Sequence, residues 1–135
     1  TTFCNSLPNS TGNAAHLEGI GSASIADNEL LLRAEPVPAG QPGLFFYGPD
    51  EVSMPFGNGV RCVSGPSGAI QRIYPYVQAD ESGALVLELD NAHPSHAPQL
   101  TQPGATWKFQ AWFRDSAAGG AGFNLSDGIT ITLEP

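Results

Sequence analysis

Short stretches in which every second residue is apolar, separated by glycine- and proline-rich turns, dominate this sequence. The alternation is clearest in Leu85–Asp90 and Ile129–Leu133. A period of two places successive side chains on opposite faces of a strand, and it indicates strands with one buried face. Leu30–Glu35 and Trp107–Arg114 follow the same pattern. These four stretches predict β-strands rather than helices.

Four further segments complete the strand prediction, and turn residues bound each of them. They are Ala15–Ile25, Leu44–Tyr47, Arg61–Val63 and Ile70–Val77. No window has the periodicity of an amphipathic helix, and the total is about eight or nine short strands. Many short strands at regular spacing predict an all-β chain, an antiparallel β-sandwich. The pattern leaves open whether the sandwich is immunoglobulin-like or a jelly roll.

The length and composition fit one folded domain spanning residues 1–135. Hydrophobic residues make up 41% of the chain, while 16 glycines and 12 prolines are spread along it. That apolar fraction is too high for a disordered chain, and 135 residues can bury a single sizeable core. We therefore expect a single β-sandwich domain with many turns.

The charge balance excludes several classes of partner. The chain carries 5 basic against 13 acidic residues and a net charge of −8. So few cations cannot neutralise a run of phosphates, which argues against nucleic acid and against anionic membrane surfaces. No apolar run approaches the roughly 18–20 residues of a membrane span, so we expect no membrane insertion.

The two cysteines, Cys4 and Cys62, are far apart in the sequence. They are either two buried free thiols or one disulfide. We favour the disulfide, because it would tie down an N-terminal segment, and closing so long a loop would stabilise the fold by about 4 kcal/mol. A structural disulfide predicts an oxidising compartment, so we expect the protein to be secreted or at the cell surface.

Two kinds of metal site deserve consideration. Asp90, His93 and His96 could together bind a transition metal, although two solvated histidines are the more frequent explanation of such a segment. Structural calcium could bind to acids in turns, but no stretch follows the twelve-residue calcium loop, and solvated turn acids are the commoner case. These acids are Asp50 with Glu51, Asp80 with Glu81, and Asp115 with Asp127. We therefore expect no cofactor apart from this option of structural calcium.

The aromatic residues of the stretch Thr106–Asp115 point to two different roles. Trp107, Phe109 and Phe113 share one face of the predicted strand, and we expect them in the core. Trp112 falls on the opposite face. An outward Trp flanked by polar and basic side chains can stack on the apolar face of a sugar ring. The alternative is that Ala117–Phe123 folds back and covers it.

Tyr74 and Tyr76 also share one face of their predicted strand, and they extend the set of outward aromatic residues. The basic neighbours of Trp112 could hydrogen-bond sugar hydroxyls. The candidate ligand-binding residues are therefore Trp112, Tyr74, Tyr76, Arg114 and Lys108.

No catalytic arrangement is recognisable in the sequence. The chain has no Gly-x-Ser-x-Gly motif, and neither Ser95 nor Ser126 lies in a known nucleophile context. Two carboxylates could hydrolyse a glycoside, but the sequence does not show which acids face each other. We therefore predict that the protein is not an enzyme and has no catalytic residues.

Several features of the chain occur together in a recognisable order: Cys4, Ile20–Ser24, Gly43–Gly48, Phe56–Gly59, Arg61–Val63, Gln110–Asp115 and Asn124–Asp127. In these blocks the chain resembles a domain of unknown function that recurs in secreted bacterial proteins, often at the C-terminus of multidomain chains. The resemblance implies an extracellular β-rich accessory domain, a Cys4–Cys62 bridge and no catalytic residues. Members of that family often carry further cysteines between the blocks, which this chain lacks.

Three functional hypotheses follow from these features. The first is a non-catalytic extracellular binding module that recognises a polysaccharide or surface glycan, or attaches its parent protein to the cell surface. The second is a structural subunit that self-associates through edge strands, with Leu44–Tyr47 as the apolar edge candidate. The third is a small secreted hydrolase.

Overall fold

Ten β-strands make up most of the computed structural model, which describes residues 2–89 and 102–135. Among these residues the helical segments are two three-residue 3-10 turns, Pro66–Gly68 and Ser116–Ala118. The all-β prediction is confirmed. The strands are β1 (Thr2–Phe3), β2 (His16–Ile20), β3 (Leu31–Glu35), β4 (Pro42–Gly48), β5 (Asp50–Phe56), β6 (Gly59–Ser64), β7 (Gln71–Gln78), β8 (Leu85–Glu88), β9 (Thr106–Arg114) and β10 (Phe123–Thr132).

The strands form two packed sheets and a hairpin, and every pairing between them is antiparallel. One sheet has five strands in the order β1-β10-β9-β4-β7, and the other has three in the order β2-β3-β8. Strands β5 and β6 pair with each other. The sandwich prediction is therefore confirmed, with more strands than the predicted eight or nine.

The main core lies between the two sheets and is built from the alternating residues of the sequence. Leu32, Ala34 and Leu85 of the three-stranded sheet face Phe109 and Phe113 of the five-stranded sheet, and all are fully buried. Trp107 lies at the margin of the same core. It is partly buried, with its ring in edge contact with Tyr47 at a centroid distance of 5.1 Å. The inward assignment of β9 is correct.

The five-stranded sheet is also covered on its outer face, which the sequence did not predict. A second apolar cluster there contains Phe46, Val63 and Leu125. The β5–β6 hairpin contributes Val63 and packs against β10, β9 and β4. The five-stranded sheet is therefore buried on both faces over part of its area.

The double burial explains why the assignment of Leu44–Tyr47 as an edge segment is wrong. Strand β4 lies between β9 and β7. Phe45 and Tyr47 face the main core, while Phe46 belongs to the outer cluster. A run of consecutive apolar residues is typical of a strand that is buried on both faces.

The predicted disulfide between Cys4 and Cys62 is confirmed, and the alternative of two free thiols is wrong. The two Cα atoms are 6.2 Å apart. Because Cys4 follows β1 and Cys62 lies in β6, the bond joins the N-terminal edge of the five-stranded sheet to the hairpin on its outer face.

Gln110 of β9 forms three side-chain hydrogen bonds, two to strand β6 of the hairpin and one to β10. Its Nε2 donates to the carbonyl oxygens of Val60 (2.9 Å) and Ser126 (2.7 Å). Its Oε1 accepts a hydrogen bond from the Cys62 N–H (2.9 Å). The side chain is fully buried, so no solvent replaces these partners.

Replacing Gln110 by alanine should therefore lower the free energy of unfolding by about 2 kcal/mol, because three buried backbone groups lose their partner. Chemical denaturation followed by tryptophan fluorescence measures the change. The matched variant is Gln71→Ala, whose side chain is exposed on β7; it should change stability by less than about 0.5 kcal/mol. Equal effects of the two substitutions would contradict this role of Gln110.

Candidate functional site

An aromatic groove lies on the outer face of the five-stranded sheet, between the β5–β6 hairpin and strand β7. Leu44, Phe46 and Trp112 line its base, and its volume is about 450 Å³. That volume falls within the range of small-ligand sites, roughly 300–1,000 Å³. The complete lining consists of Pro42, Gly43, Leu44, Phe46, Phe56, Arg61, Ile70, Arg72, Tyr76, Trp112 and Phe123. We refer to these residues as the groove.

The hairpin side of the groove is formed by an aromatic pair. Phe56 and Phe123 are in edge contact with a centroid distance of 5.1 Å. Gly57, which follows Phe56, has φ of 59°, and a Cβ atom built on it would lie 2.2 Å from the Phe123 ring. Only glycine combines this backbone conformation with so close an approach. The tight turn therefore brings the two phenyl rings together.

Asn58 fixes the tip of the same hairpin against the glycine-rich loop that precedes β10. Its Nδ2 donates to the Gly119 carbonyl, and its Oδ1 accepts from the Ala121 N–H, both at 2.9 Å. The Asn58 N–H donates to the Phe123 carbonyl at 3.0 Å. These bonds hold the hairpin in place, so this side of the groove is preformed.

The β7 side of the groove is formed by exposed tyrosines. Tyr76 lines the groove and is 49% exposed, and Tyr74 stacks on it with a centroid distance of 5.1 Å and an interplanar angle of 29°. Arg72 Nη1 donates to the Tyr76 hydroxyl at 3.3 Å. Hydrogen bonding with the Tyr74 hydroxyl and then with Arg72 lowers the pKa of Tyr76, while the Tyr76 hydroxyl raises the pKa of Tyr74. The prediction that the two tyrosines share one face is confirmed.

Trp112 is partly covered by the segment before β10 and partly exposed, so both situations considered for it from the sequence apply. Its ring lies 5.4 Å from that of Phe123, at the end of the segment proposed to cover it. The Arg114 guanidinium lies over the Trp112 ring at 5.4 Å. The indole is nevertheless only partly buried and lines the groove. It belongs both to the outer apolar cluster and to the accessible surface.

Of the predicted ligand residues, Tyr76 and Trp112 line the groove, while Tyr74 and Arg114 lie outside its lining and contact those two rings. Lys108 lies further away. It lies four residues before Trp112 on the extended strand β9, which corresponds to roughly 13 Å. Its Nζ donates to the Thr130 hydroxyl at 3.1 Å and lies 5.7 Å from the centre of the Phe3 ring. These contacts attach Lys108 to β10 and β1.

Of the eleven described residues that line the groove, Tyr76 and Trp112 were predicted from sequence as ligand residues and nine were not. Among those nine, the aromatic and cationic side chains are Phe46, Phe56, Arg61, Arg72 and Phe123. Phe56 and Arg61 lie in blocks that carry the family resemblance, but nothing in the pattern of those blocks indicates a groove. Arg72 lies two residues before Tyr74, so the period of two places it on the same face as Tyr74 and Tyr76, and its position could have been predicted from the sequence. The position of Phe123 depends on how the glycine-rich loop folds.

A second cavity, of about 760 Å³, lies beside a pair formed by His16 and Asp127. His16 Nδ1 is 3.1 Å from Asp127 Oδ2, and the Leu17 N–H donates to Asp127 Oδ1 at 2.7 Å. The Asp127 carboxylate is buried and joins β10 to β2. Ser126, the neighbouring nucleophile candidate, is fully buried and uses its hydroxyl to hydrogen-bond the backbone of Ala111 and Asp127. These bonds give this region a structural role.

The acids considered for calcium lie in different parts of the fold, and two of them accept hydrogen bonds from nearby protein groups. Asp80 accepts from the Ser82 hydroxyl at 2.6 Å and from the Ala84 N–H, which lowers its pKa. Asp115 is buried and accepts from the Ser10 N–H at 2.8 Å. Within residues 2–89 and 102–135, no three His, Cys, Asp or Glu side chains are close enough to hold a metal ion. The acids Asp50, Glu51 and Glu81 are exposed.

The remaining metal candidates, Asp90, His93 and His96, lie outside the described residues, as does Ser95.

Comparison of the chain with protein-family models, curated proteins and solved structures finds no match. In the part of the chain that the structure describes, no helix has the length and hydrophobicity needed to cross a membrane. The groove is therefore interpreted from its own chemistry.

Proposed function

We propose that the protein is a non-catalytic carbohydrate-binding module, with the groove as its binding site. The observation that carries the proposal is that the exposed Tyr76 ring and the partly buried Trp112 ring line the same groove, whose hairpin side is preformed. Aromatic rings stack on the apolar faces of sugar rings, while their polar groups remain hydrated. The arginines beside the rings supply donors for hydroxyl groups. A rigid site of this kind binds at low entropic cost.

The disulfide supports an extracellular location for this module. Disulfides persist in oxidising compartments and are rare in the cytosol. A polysaccharide or surface glycan is available in that setting, and binding to it would attach a parent protein to the cell surface. We propose secretion or display at the surface on this basis.

Strand β7 provides an argument for ligand binding over the alternative of an assembly subunit. It is an edge strand of the five-stranded sheet, so another chain could pair with it. Pro75, however, lies in its middle and has no N–H to donate, which is a feature that blocks strand addition. The exposed tyrosines on either side of Pro75 are better suited to a ligand on the face of the sheet.

Tyr76→Ala tests the proposal directly, because the side chain is exposed and its loss should not unfold the protein. We expect affinity for a bound polysaccharide to fall by about 1–3 kcal/mol, the effect of losing an aromatic contact at the centre of a site. The measurement is affinity electrophoresis through immobilised cellulose, xylan, chitin and polygalacturonate derivatives. The control is Ile20→Ala, an exposed apolar residue on the three-stranded sheet. Failure of the parent protein to bind any of these polymers would contradict the proposed function.

Trp112→Ala should reduce binding by a similar amount and should also destabilise the fold by about 1–2 kcal/mol, because Trp112 packs on Phe123. Circular dichroism before each titration separates the two effects. A folded Trp112→Ala variant that binds as well as the parent would remove Trp112 from the site.

A further inference from the structure

We propose that the groove selects acidic polysaccharides, and that Arg72 and Arg61 bind the carboxylate of a uronic acid residue. This inference rests on the proposed carbohydrate-binding function and adds the chemical class of the sugar. It would make the module specific for polymers such as polygalacturonate or alginate, rather than for neutral glucans.

The distribution of charge is the first argument. The chain has only five basic residues against 13 acidic ones, yet Arg61 and Arg72 both line the groove and Arg114 lies over the Trp112 ring. None of the described residues that line the groove carries a carboxylate. A protein of net charge −8 therefore concentrates positive charge at its aromatic groove. Such a site attracts an anionic ligand, and none of the described lining residues carries a negative charge that would repel it.

The second argument is that no carboxylate among the described residues pairs with the groove arginines. Neither Arg61 nor Arg72 forms an ion pair with a carboxylate of residues 2–89 or 102–135. By contrast, Arg33 on the other sheet pairs with Glu35 at 2.9 Å. Within the part of the chain that the structure describes, the charges of the two groove arginines are therefore not neutralised by a carboxylate.

The orientation of the arginines is the third argument. Arg61 Nε donates to the Val63 carbonyl at 3.0 Å, and its Nη2 donates to the Gly68 carbonyl. Arg72 is held by its hydrogen bond to the Tyr76 hydroxyl. A guanidinium that is already positioned loses less conformational entropy on binding. The guanidinium N–H groups that these bonds do not use are the donors that we expect to bind an acceptor in the groove.

A sugar ring that carries a carboxylate can interact with both the aromatic rings and the arginines of the groove. The ring can stack on Tyr76 or Trp112 through its apolar face, while the carboxylate accepts charge-assisted hydrogen bonds from an arginine. Guanidinium and carboxylate are both planar and can form paired hydrogen bonds, which a sugar hydroxyl cannot match. A neutral sugar would leave the positive charge of the groove unused.

The test compares polygalacturonic acid with the same polymer after complete methyl esterification, which removes the charge and retains the sugar. We expect the acid form to bind at least about tenfold more tightly at low salt. The preference should shrink at 0.5 M NaCl, since salt screens exposed charges. Dextran sulfate is included to distinguish a carboxylate site from a sulfate site.

Arg72→Gln should weaken polygalacturonate binding by about tenfold and weaken binding of the methyl ester by a clearly smaller factor, because only the acid form loses a charge-assisted hydrogen bond. Arg61→Gln should act in the same direction. The matched control is Arg33→Gln, which removes the same charge from the other sheet and should bind both polymers like the parent. Circular dichroism and thermal melting establish that each variant is folded.

The outcomes separate the two proposals. Equal binding of acid and ester, lost in Tyr76→Ala, would overturn the acid selectivity and leave carbohydrate binding intact. Preferential binding of dextran sulfate would overturn the assignment of a carboxylate ligand. Equal losses in Arg72→Gln and Arg33→Gln would show a general charge effect and would also overturn it. Binding of none of the polysaccharides would remove the proposed function itself.

Discussion

Replacement of Phe109 by alanine is expected to lower the free energy of unfolding by about 3–5 kcal/mol. Phe109 is fully buried in the main core and lies 5.9 Å, between ring centres, from Tyr47. Its strand pairs with both β10 and β4, so the surrounding backbone is held on two sides. The neighbours therefore cannot collapse into the space, and the cavity term adds to the lost burial.

Urea denaturation of the Phe109→Ala variant measures this change. Because domains of this size are stable by only about 5–15 kcal/mol, the variant should lose a large fraction of its stability. The matched variant is Tyr74→Ala, an exposed aromatic residue, which should cost at most about 1 kcal/mol. If Phe109→Ala were no less stable than Tyr74→Ala, the packing of β9 between the sheets would be wrong.

Removal of the disulfide by Cys4→Ala with Cys62→Ala is expected to lower the free energy of unfolding by about 2–4 kcal/mol. The bond closes a loop across a sequence separation of 58 residues, and it restricts the unfolded chain strongly. In the folded protein it connects the segment after β1 to β6. The double variant avoids leaving one reactive thiol behind.

Chemical denaturation of the double variant and of the reduced parent protein tests this expectation. If the bond accounts for the effect, the two proteins should have similar stability. A double variant as stable as the oxidised parent would contradict a stabilising role of the bond. Because β6 carries Arg61 of the groove, the double variant should also bind polysaccharide more weakly.

The strands that were predicted from sequence have a face in the main core, except for β6, whose Val63 belongs to the outer cluster. Leu31–Glu35 and Leu85–Glu88 match segments in which leucine recurs at alternate positions, because one side of each strand faces the other sheet. Strand β5, Asp50–Phe56, was missed for the complementary reason. Nearly all of its residues are exposed, so no apolar period marks it, and its strand structure comes from pairing with β6.

The candidate site was predicted only in part. Trp112, Tyr74 and Tyr76 were identified because the period of two shows which side chains share a face of a strand. The period does not show which strands are neighbours or what covers that face. Leu44–Tyr47 was consequently assigned to an edge, and the groove residues Phe56 and Phe123 were not foreseen.

The sequence by itself determined the all-β class and the inward residues of β9, and it favoured the Cys4–Cys62 bond over two free thiols. These properties depend on local alternation and on the chemistry of a residue pair, both of which are written in the linear chain. Only the tertiary structure decided that Leu44, Arg72 and Trp112 meet in one groove beside the β5–β6 hairpin. Strand order and hairpin placement arise from long-range packing among residues that are distant in sequence, and local periodicity carries no information about them.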